Sequence, residues 1–345
     1  MPQDAPHQTQ VLFQNHWICI EQVAWPIAGV FRISRGEKTH AQVLRVTLKA
    51  GEVVGIGESV PYPRYGESIE SSLKQILEFV DYFNDISDSS PLPNQAQIQH
   101  YLPPSAARNA LDCAWWDLHC KLSHQTIWQT LAIHPKPLTT AFTLSLDTPE
   151  AMKQVATANA HRPVLKLKLA GEGDLQRVVA VCQAAPKSKI IIDANEGWDI
   201  DQYKQLVPEL AKLGVSLIEQ PFPSDKNHWL DDLPRPIQIC ADESCHDSDG
   251  LRQLVGRFDV VNIKLDKTGG LTQALQLADK AKVMGFEIMV GCMVGSSLAM
   301  APAFVVAQQA SVVDLDGPLL LAQDCEHGFE FDGSLMHTFN PQLWG

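Results

Sequence analysis

The chain has 345 residues, a length that suggests two domains or one large domain with an appendage. It is 45% hydrophobic and 19% charged, and 27 basic against 40 acidic residues give a formal net charge of −13. That is ordinary globular composition, and an acidic chain without a basic block lacks the clustered cations that nucleic-acid binding requires.

Residues 1–10 (MPQDAPHQTQ) carry no Lys or Arg and read as a flexible tail. The stretch that follows is broken by Gln, Asn and His, so neither resembles a secretory signal. Residues 42–48 and 53–57 form a β-hairpin around a turn at 49–52. Gly55 and Gly57 lack the third glycine and the helix-opening context of a nucleotide fingerprint. Helical spacing follows over 66–84, then a loop rich in Asp, Ser and Pro over 85–95, then a second helix over 105–122. Strands followed by helices suggest a small α+β domain in the first third.

The rhythm changes near residue 138. Apolar runs at 139–146, 164–169, 190–193, 216–219, 237–241, 260–264, 287–292 and 312–315 are each followed by a loop and, except for the last, a helical pattern. Alternating βα units imply a parallel sheet, and eight of them suffice to close an α/β barrel. Residues 288–313 contain no charge and are long enough to span a bilayer, but Gly291, Gly295, Ser296, Ser297 and Pro302 make a strand, a loop and a buried helix the better reading. The eight cysteines include no C-x-x-C pair and read as reduced thiols of a cytoplasmic protein.

The apolar runs end in ionisable residues. Lys168, Asp193, Glu219, Asp242 and Lys264 recur every 22–26 residues, about one βα unit, and Asp314 and Asp316 follow later. Any one of these is unremarkable as a solvated charge at the start of a loop. Five in register at strand ends converge on a barrel mouth, where catalytic groups of such barrels lie. Asp193, Glu219 and Asp242 form an all-oxygen set that suits Mg²⁺. Cys240-x₄-Cys245-His246 is a weaker, zinc-like pattern, with Cys240 expected to face away from the neighbours of Asp242. Lys166 and Lys168 alternate with Leu165, Leu167 and Leu169, which puts both lysines on one strand face. In a barrel that face is the interior, and a neighbouring cation and Mg²⁺ would lower the basic pKa toward working pH. Lys264, four units around the ring, could work from the opposite side. One lysine would remove the α-proton of a carboxylate and the other return it, through an enediolate stabilised by the metal.

These residues resemble the enolase superfamily, muconate-lactonising subgroup, for which Lys bases and Mg²⁺ are established features. The pattern comprises Lys166-x-Lys168, Asp193-Ala-Asn, Glu219-Gln-Pro, Ala-Asp242-Glu-Ser and Asn262-Ile-Lys264. YPRYGES at 62–68, AARNALD at 106–112, NIKLDKTGGL at 262–271 and DLDGP at 314–318 look like the dipeptide epimerases, in particular the L-Ala-D/L-Glu epimerases of murein peptide recycling. The resemblance runs from about residue 11 to the end. It implies a (β/α)₇β TIM-like barrel over 136–318 and an α+β capping domain over 11–135, completed by 319–345. It makes Lys168 and Lys264 the acid/base pair, tuned by Lys166, with Asp193, Glu219 and Asp242 as Mg²⁺ ligands. Asp314 and Asp316 would hold the substrate's α-ammonium, and Arg35 would meet the glutamate side chain.

The implied activity is epimerisation of the C-terminal residue of a dipeptide, preferably L-Ala-D/L-Glu. The implied partner is that small molecule, neither nucleic acid nor membrane, and a homo-oligomer is compatible with the sequence. Alternatives are another dipeptide preference, a muconate cycloisomerase- or o-succinylbenzoate synthase-like reaction, and an inactive metal- or peptide-binding barrel. The D-x-D pair argues against the second of these, because those substrates carry no ammonium group. Retention of both lysines argues against the third.

Overall fold

The computed structural model describes residues 9–86 and 92–345. A four-stranded antiparallel sheet opens the chain, built from Thr9–Gln14, Ile18–Ile33, Gly36–Ala50 and Val53–Ser59. Thr9 and Gln10, assigned to the tail by sequence, pair with Val23 and Gln22, whereas residues 1–8 lie outside the described residues. Leu44, Val46 and Leu48 alternate onto one face of this sheet and pack with the helices Ile69–Ile86 and Ala106–Ser123. The expected hairpin turn is present, with Gly51 at φ +61°. Gly55 and Gly57 permit close helix packing: a β-carbon on Gly57 would stand 2.1 Å from the carbonyl oxygen of Ala110. The loop expected over 85–95 falls partly on residues 87–91, outside the described residues. Its far end starts a helix, Gln95–Tyr101, closed by a capping box between Asn94 and Gln97.

Eight parallel strands follow, pairing in sequence order: Phe142–Leu144, Val164–Lys168, Lys189–Asp193, Leu217–Glu219, Gln238–Ala241, Val260–Ile263, Glu287–Gly291 and Val312–Asp314. The ring is drawn together between its first and last strands, where Ala141 N donates to Val313 O at 2.8 Å and Thr143 N donates to Asp316 Oδ2 at 2.6 Å. Period-two alternation sends Leu165, Leu167, Ile190, Ile192, Val261 and Ile263 outward against the surrounding helices. The opposite parity fills the interior with a layer that includes Ile191, Leu217, Cys240, Val260 and Met289. Cys240 therefore shares the inward face of Asp242, two residues on, and points away from the outward-facing Ala241 between them. Its thiol meets Met289 Sδ at 4.0 Å, in the apolar floor beneath the charged mouth.

The connections depart from the expected rhythm twice. After Leu217–Glu219 the chain forms a 3₁₀ segment, Ser224–Asp232, and after Gln238–Ala241 another, Gly250–Gln253. Pro221 and Pro223 remove amide donors at the entry to the first, and Gly250 and Gly256 bracket the second too closely for an α-helix. The uncharged stretch 288–313 resolves into the end of a strand, a loop and the buried helix Ser297–Ala307. Among the described residues no helix is long and apolar enough to cross a membrane. None of the eight cysteines is disulfide-bonded.

The sheet domain sits over the C-terminal end of the barrel. Arg108 donates to the carbonyls of Gly269 and Thr268 at 3.1 and 2.8 Å, and Asp112 accepts from Thr272. The C-terminus returns to the same helix, where Gly345 N donates to Asp117 Oδ1 at 2.7 Å. The tip of the hairpin that joins Ile18–Ile33 to Gly36–Ala50 reaches the barrel as well, with Leu146 N donating to Arg32 O at 3.0 Å.

Candidate active site

The strand ends deliver their charges to one place. Lys168 and Asp193 are the last residues of their strands, as are Glu219 and Asp314, while Asp242 and Lys264 stand one residue beyond theirs. All of them are buried. One oxygen from each of Asp193, Glu219 and Asp242 lies within 4.8 Å of the others.

Each of these carboxylates is tied back by a donor on one oxygen. Asn195 N donates to Asp193 Oδ1 at 2.9 Å, Asn262 Nδ2 to Glu219 Oε1 at 2.8 Å, and Lys267 Nζ to Asp242 Oδ1 at 2.7 Å. The other oxygen faces a lysine. Lys168 Nζ lies 2.6 Å from Asp193 Oδ2, Lys166 Nζ 2.7 Å from Glu219 Oε2, and Lys264 Nζ 2.6 Å from Asp242 Oδ2. Three buried carboxylates held this close, with a fixing donor on each, match the donor chemistry of a hard divalent cation.

The electrostatics follow from this crowding. Burial disfavours the Lys166 ammonium, but Asp314, Glu219 and Asp193 outweigh it and hold its pKa well above the usual lysine range. Lys264 is held up in the same way, against burial, by Asp242 and Glu219. For Lys166 the direction is thus opposite to the expected lowering, because carboxylate oxygens at 2.7 Å hold it from two sides. Carboxylates engaged by a divalent cation would no longer exert that pull. Asp193 is lowered to about 2, as Lys168 and Lys166 overcome its burial. Glu219 is pushed the other way by burial and by Asp193.

Asp314 and Asp316 come to the same mouth in different states. Asp314 Oδ2 is bound by Lys166 Nζ at 2.7 Å, while its Oδ1 is buried without a hydrogen-bond partner. Asp316 accepts from Thr143 N, and burial together with Asp314 raises its pKa to about 7.

Above this floor a cavity of about 630 Å³ lies between barrel and hairpin, within the usual range for small-ligand sites. Lys166, Lys168, Lys264, Asp314 and Asp316 line it from below, Tyr62 and Tyr65 from the side, and Arg35 and Lys38 from the hairpin. Lys168 and Lys264 belong to positions four strands apart in a ring of eight and so face each other across the mouth. Arg35 Nη2 lies 2.7 Å from Glu243 Oε1 and Nη1 3.1 Å from the carbonyl of Asn195. Arg64 clamps Glu196 through Nε at 2.8 Å and Nη2 at 2.9 Å.

Several contributing residues were not singled out by sequence. Lys267 is fully buried beneath Asp242, one helical turn beyond Lys264. Gln220, at φ +37°, accepts from the backbone amides of Asp242 and Ser244 and so welds two strand ends together. Glu243 and Tyr65 fall inside the Ala-Asp-Glu-Ser and YPRYGES stretches, but only the fold shows what each of them touches.

The comparisons agree with this geometry. Residues 149–335 match the enolase C-terminal domain-like family, and residues 17–132 match the mandelate racemase/muconate lactonizing enzyme N-terminal domain. An N-acetyl-D-glutamate racemase from a Pseudoalteromonas species is 47% identical over 300 residues, covering 87% of this chain and 94% of its own length. The L-Ala-D/L-Glu epimerase of Escherichia coli K12 is 41% identical over 317 residues, covering 91% of this chain and 97% of its own. A solved enolase family member from Agrobacterium tumefaciens, with homology to dipeptide epimerases and with bound sodium and L-Ala-L-Glu, superposes with a TM-score of 0.91 at 46% identity, covering 95% of this chain and 99% of its own. The chain belongs to the enolase superfamily, in its mandelate racemase/muconate lactonizing branch, and is an isomerase of the racemase and epimerase type acting on amino-acid derivatives.

Proposed function

We propose that this site epimerises the α-carbon of the C-terminal residue of a dipeptide, with L-Ala-D/L-Glu as the preferred substrate, and that the reaction serves cytoplasmic recycling of murein peptides. The observation that carries the reading is the pair Lys168 and Lys264, on opposite sides of one cavity above a carboxylate triad. Asp193, Glu219 and Asp242 would hold Mg²⁺, which when bound supplies positive charge where the substrate's α-carboxylate gains electron density.

The chain's own residues do the rest. In one direction Lys168, neutral, takes the α-proton; the C–H electron pair moves into the adjoining carboxylate. Lys264, protonated, then delivers a proton to the opposite face, and the configuration is inverted. The reverse direction exchanges the two roles. Lys166 holds Asp314 and Glu219 in place from the floor. The free Oδ1 of Asp314, with Asp316 beside it, offers the substrate's α-ammonium a buried anionic seat. Arg35 lines the rim of the cavity.

A second reading, racemisation of an N-acylated glutamate, has two points in its favour. One is the relative at 47% identity. The other is that Lys166 already neutralises much of Asp314, as suits an uncharged acyl group. The chemistry at the α-carbon is the same in both.

Proton exchange in D₂O tests both. The protein with Mg²⁺ is expected to label the glutamate α-carbon of L-Ala-L-Glu and of L-Ala-D-Glu, and to stop when the metal is chelated. Lys168→Met and Lys264→Met should each slow epimerisation by about 10²–10⁴-fold, the usual contribution of a general acid or base. Label on N-acetylglutamate but on no dipeptide would select the second reading, and label on neither would defeat both.

A further inference from the structure

We propose that Lys38 is the cation that receives the side-chain carboxylate of the residue being epimerised, an inference that rests on the glutamate-directed reading above. Lys38 lies near the start of the strand Gly36–Ala50 and lines the same cavity as Lys168 and Lys264. The neighbouring arginines of this rim are engaged. Arg32 pairs with Glu37 and Asp147, Arg64 with Glu196, and Arg35 with Glu243 at 2.7 Å while also donating to Tyr62. Among the described residues Lys38 has no carboxylate within ion-pair distance and no side-chain hydrogen bond; its ammonium sits 5.9 Å from the centroid of the Phe31 ring.

A half-buried ammonium beside another cation, with no carboxylate at ion-pair distance, is unfavourable unless an anion arrives. Burial and the charge of Lys168 do push the Lys38 ammonium below the ordinary lysine range. The side chain of the reacting residue starts at the carbon on which Lys168 works, so it begins beside the group whose field Lys38 feels. A carboxylate at its end would relieve the repulsion between the two lysines. Arg35, which the family resemblance assigns to this carboxylate, is instead free to keep the hairpin seated on the barrel through Glu243.

The test compares acidic with isosteric neutral substrates, using the full chain with Mg²⁺. Exchange at the α-carbon is followed for L-Ala-L-Glu against L-Ala-L-Gln, and for N-acetyl-L-glutamate against N-acetyl-L-glutamine. Lys38→Met should lower the Glu-over-Gln ratio of kcat/KM by about 10- to 100-fold, the range for a hydrogen bond to a charged group, and the loss should appear in KM. Lys38→Arg should restore most of it. An equal loss on Glu and Gln substrates would mean that Lys38 supports the hairpin only and would overturn the proposal, as would an unchanged ratio. Wild-type protein inert toward both glutamate compounds would instead overturn the functional reading, and the Lys38 assignment with it.

Discussion

Each triad carboxylate spends one oxygen on a fixing donor, and the three donors differ in kind: a backbone amide for Asp193, a side-chain amide for Glu219 and an ammonium for Asp242. The third is the most costly to remove. Lys267 Nζ also donates to the carbonyls of Asp242 and Asn262, so its loss removes three buried hydrogen bonds at once, although the Asp242 carbonyl keeps the amide of Cys245. Lys267→Met is expected to destabilise the fold by about 3 kcal/mol, as for breaking a buried charge pair, measured by urea unfolding. A loss below about 1 kcal/mol would show that the pocket repacks or admits water. At this scale the sequence named Asp193, Glu219 and Asp242 from their spacing, because a charge at a strand end is a local feature. It quoted Lys267 only as part of NIKLDKTGGL and gave it no role, because its burial beneath Asp242 is a contact between two strand ends that spacing does not record.

Between elements, the closest approach lies where the strand Val53–Ser59 meets the helix Ala106–Ser123. A β-carbon at Gly57 would come within 2.1 Å of Ala110 O and 2.6 Å of Ala114 N, both backbone atoms that cannot swing aside. Gly57→Ala should therefore force strand and helix apart and cost about 1–3 kcal/mol, read as a lower urea midpoint at unchanged m-value. A neutral result would mean that the helix slides without penalty. Helix periodicity identified this helix to within one residue at either end. The same periodicity suggested helices after the fourth and fifth barrel strands, where 3₁₀ segments stand. A short polar stretch bounded by Pro or Gly satisfies a weak helical pattern without the length to sustain α-helical hydrogen bonds.

Across the whole molecule, cap and barrel are joined by buried polar groups. Asp266 is one such joint, its Oδ1 accepting from Val60 N at 2.9 Å and from Asn109 Nδ2 at 2.8 Å. Burial raises its pKa to about 7. The unfolded chain gives up that proton near pH 4, so the folded chain binds more protons between those values. The stability contributed by this group is complete below about pH 4 and is lost as pH rises to about 7. Asp266→Asn cannot ionise. Its thermal midpoint relative to wild type should thus rise between pH 5 and pH 8, as differential scanning calorimetry would record. A difference that stays flat over that range would mean that Asp266 titrates as an ordinary carboxyl in the folded protein.

The sequence by itself determined which side chains would share a face and roughly how far apart the strand ends would fall. Side-chain parity along Val164–Lys168 and the length of a βα unit are properties of short stretches, so Lys166, Lys168, Asp193, Glu219, Asp242 and Lys264 could be read directly. The same parity puts Cys240 on the face of Asp242, whereas that this face is the barrel interior depends on how the ring closes. Tertiary structure alone decided that Arg35 meets Glu243 some 208 residues away, that Arg108 meets Gly269, and that Lys38 lines the cavity with no ion-pair partner among the described residues. Contacts between residues so far apart in the chain arise only once barrel and hairpin are folded together, and no periodicity records them.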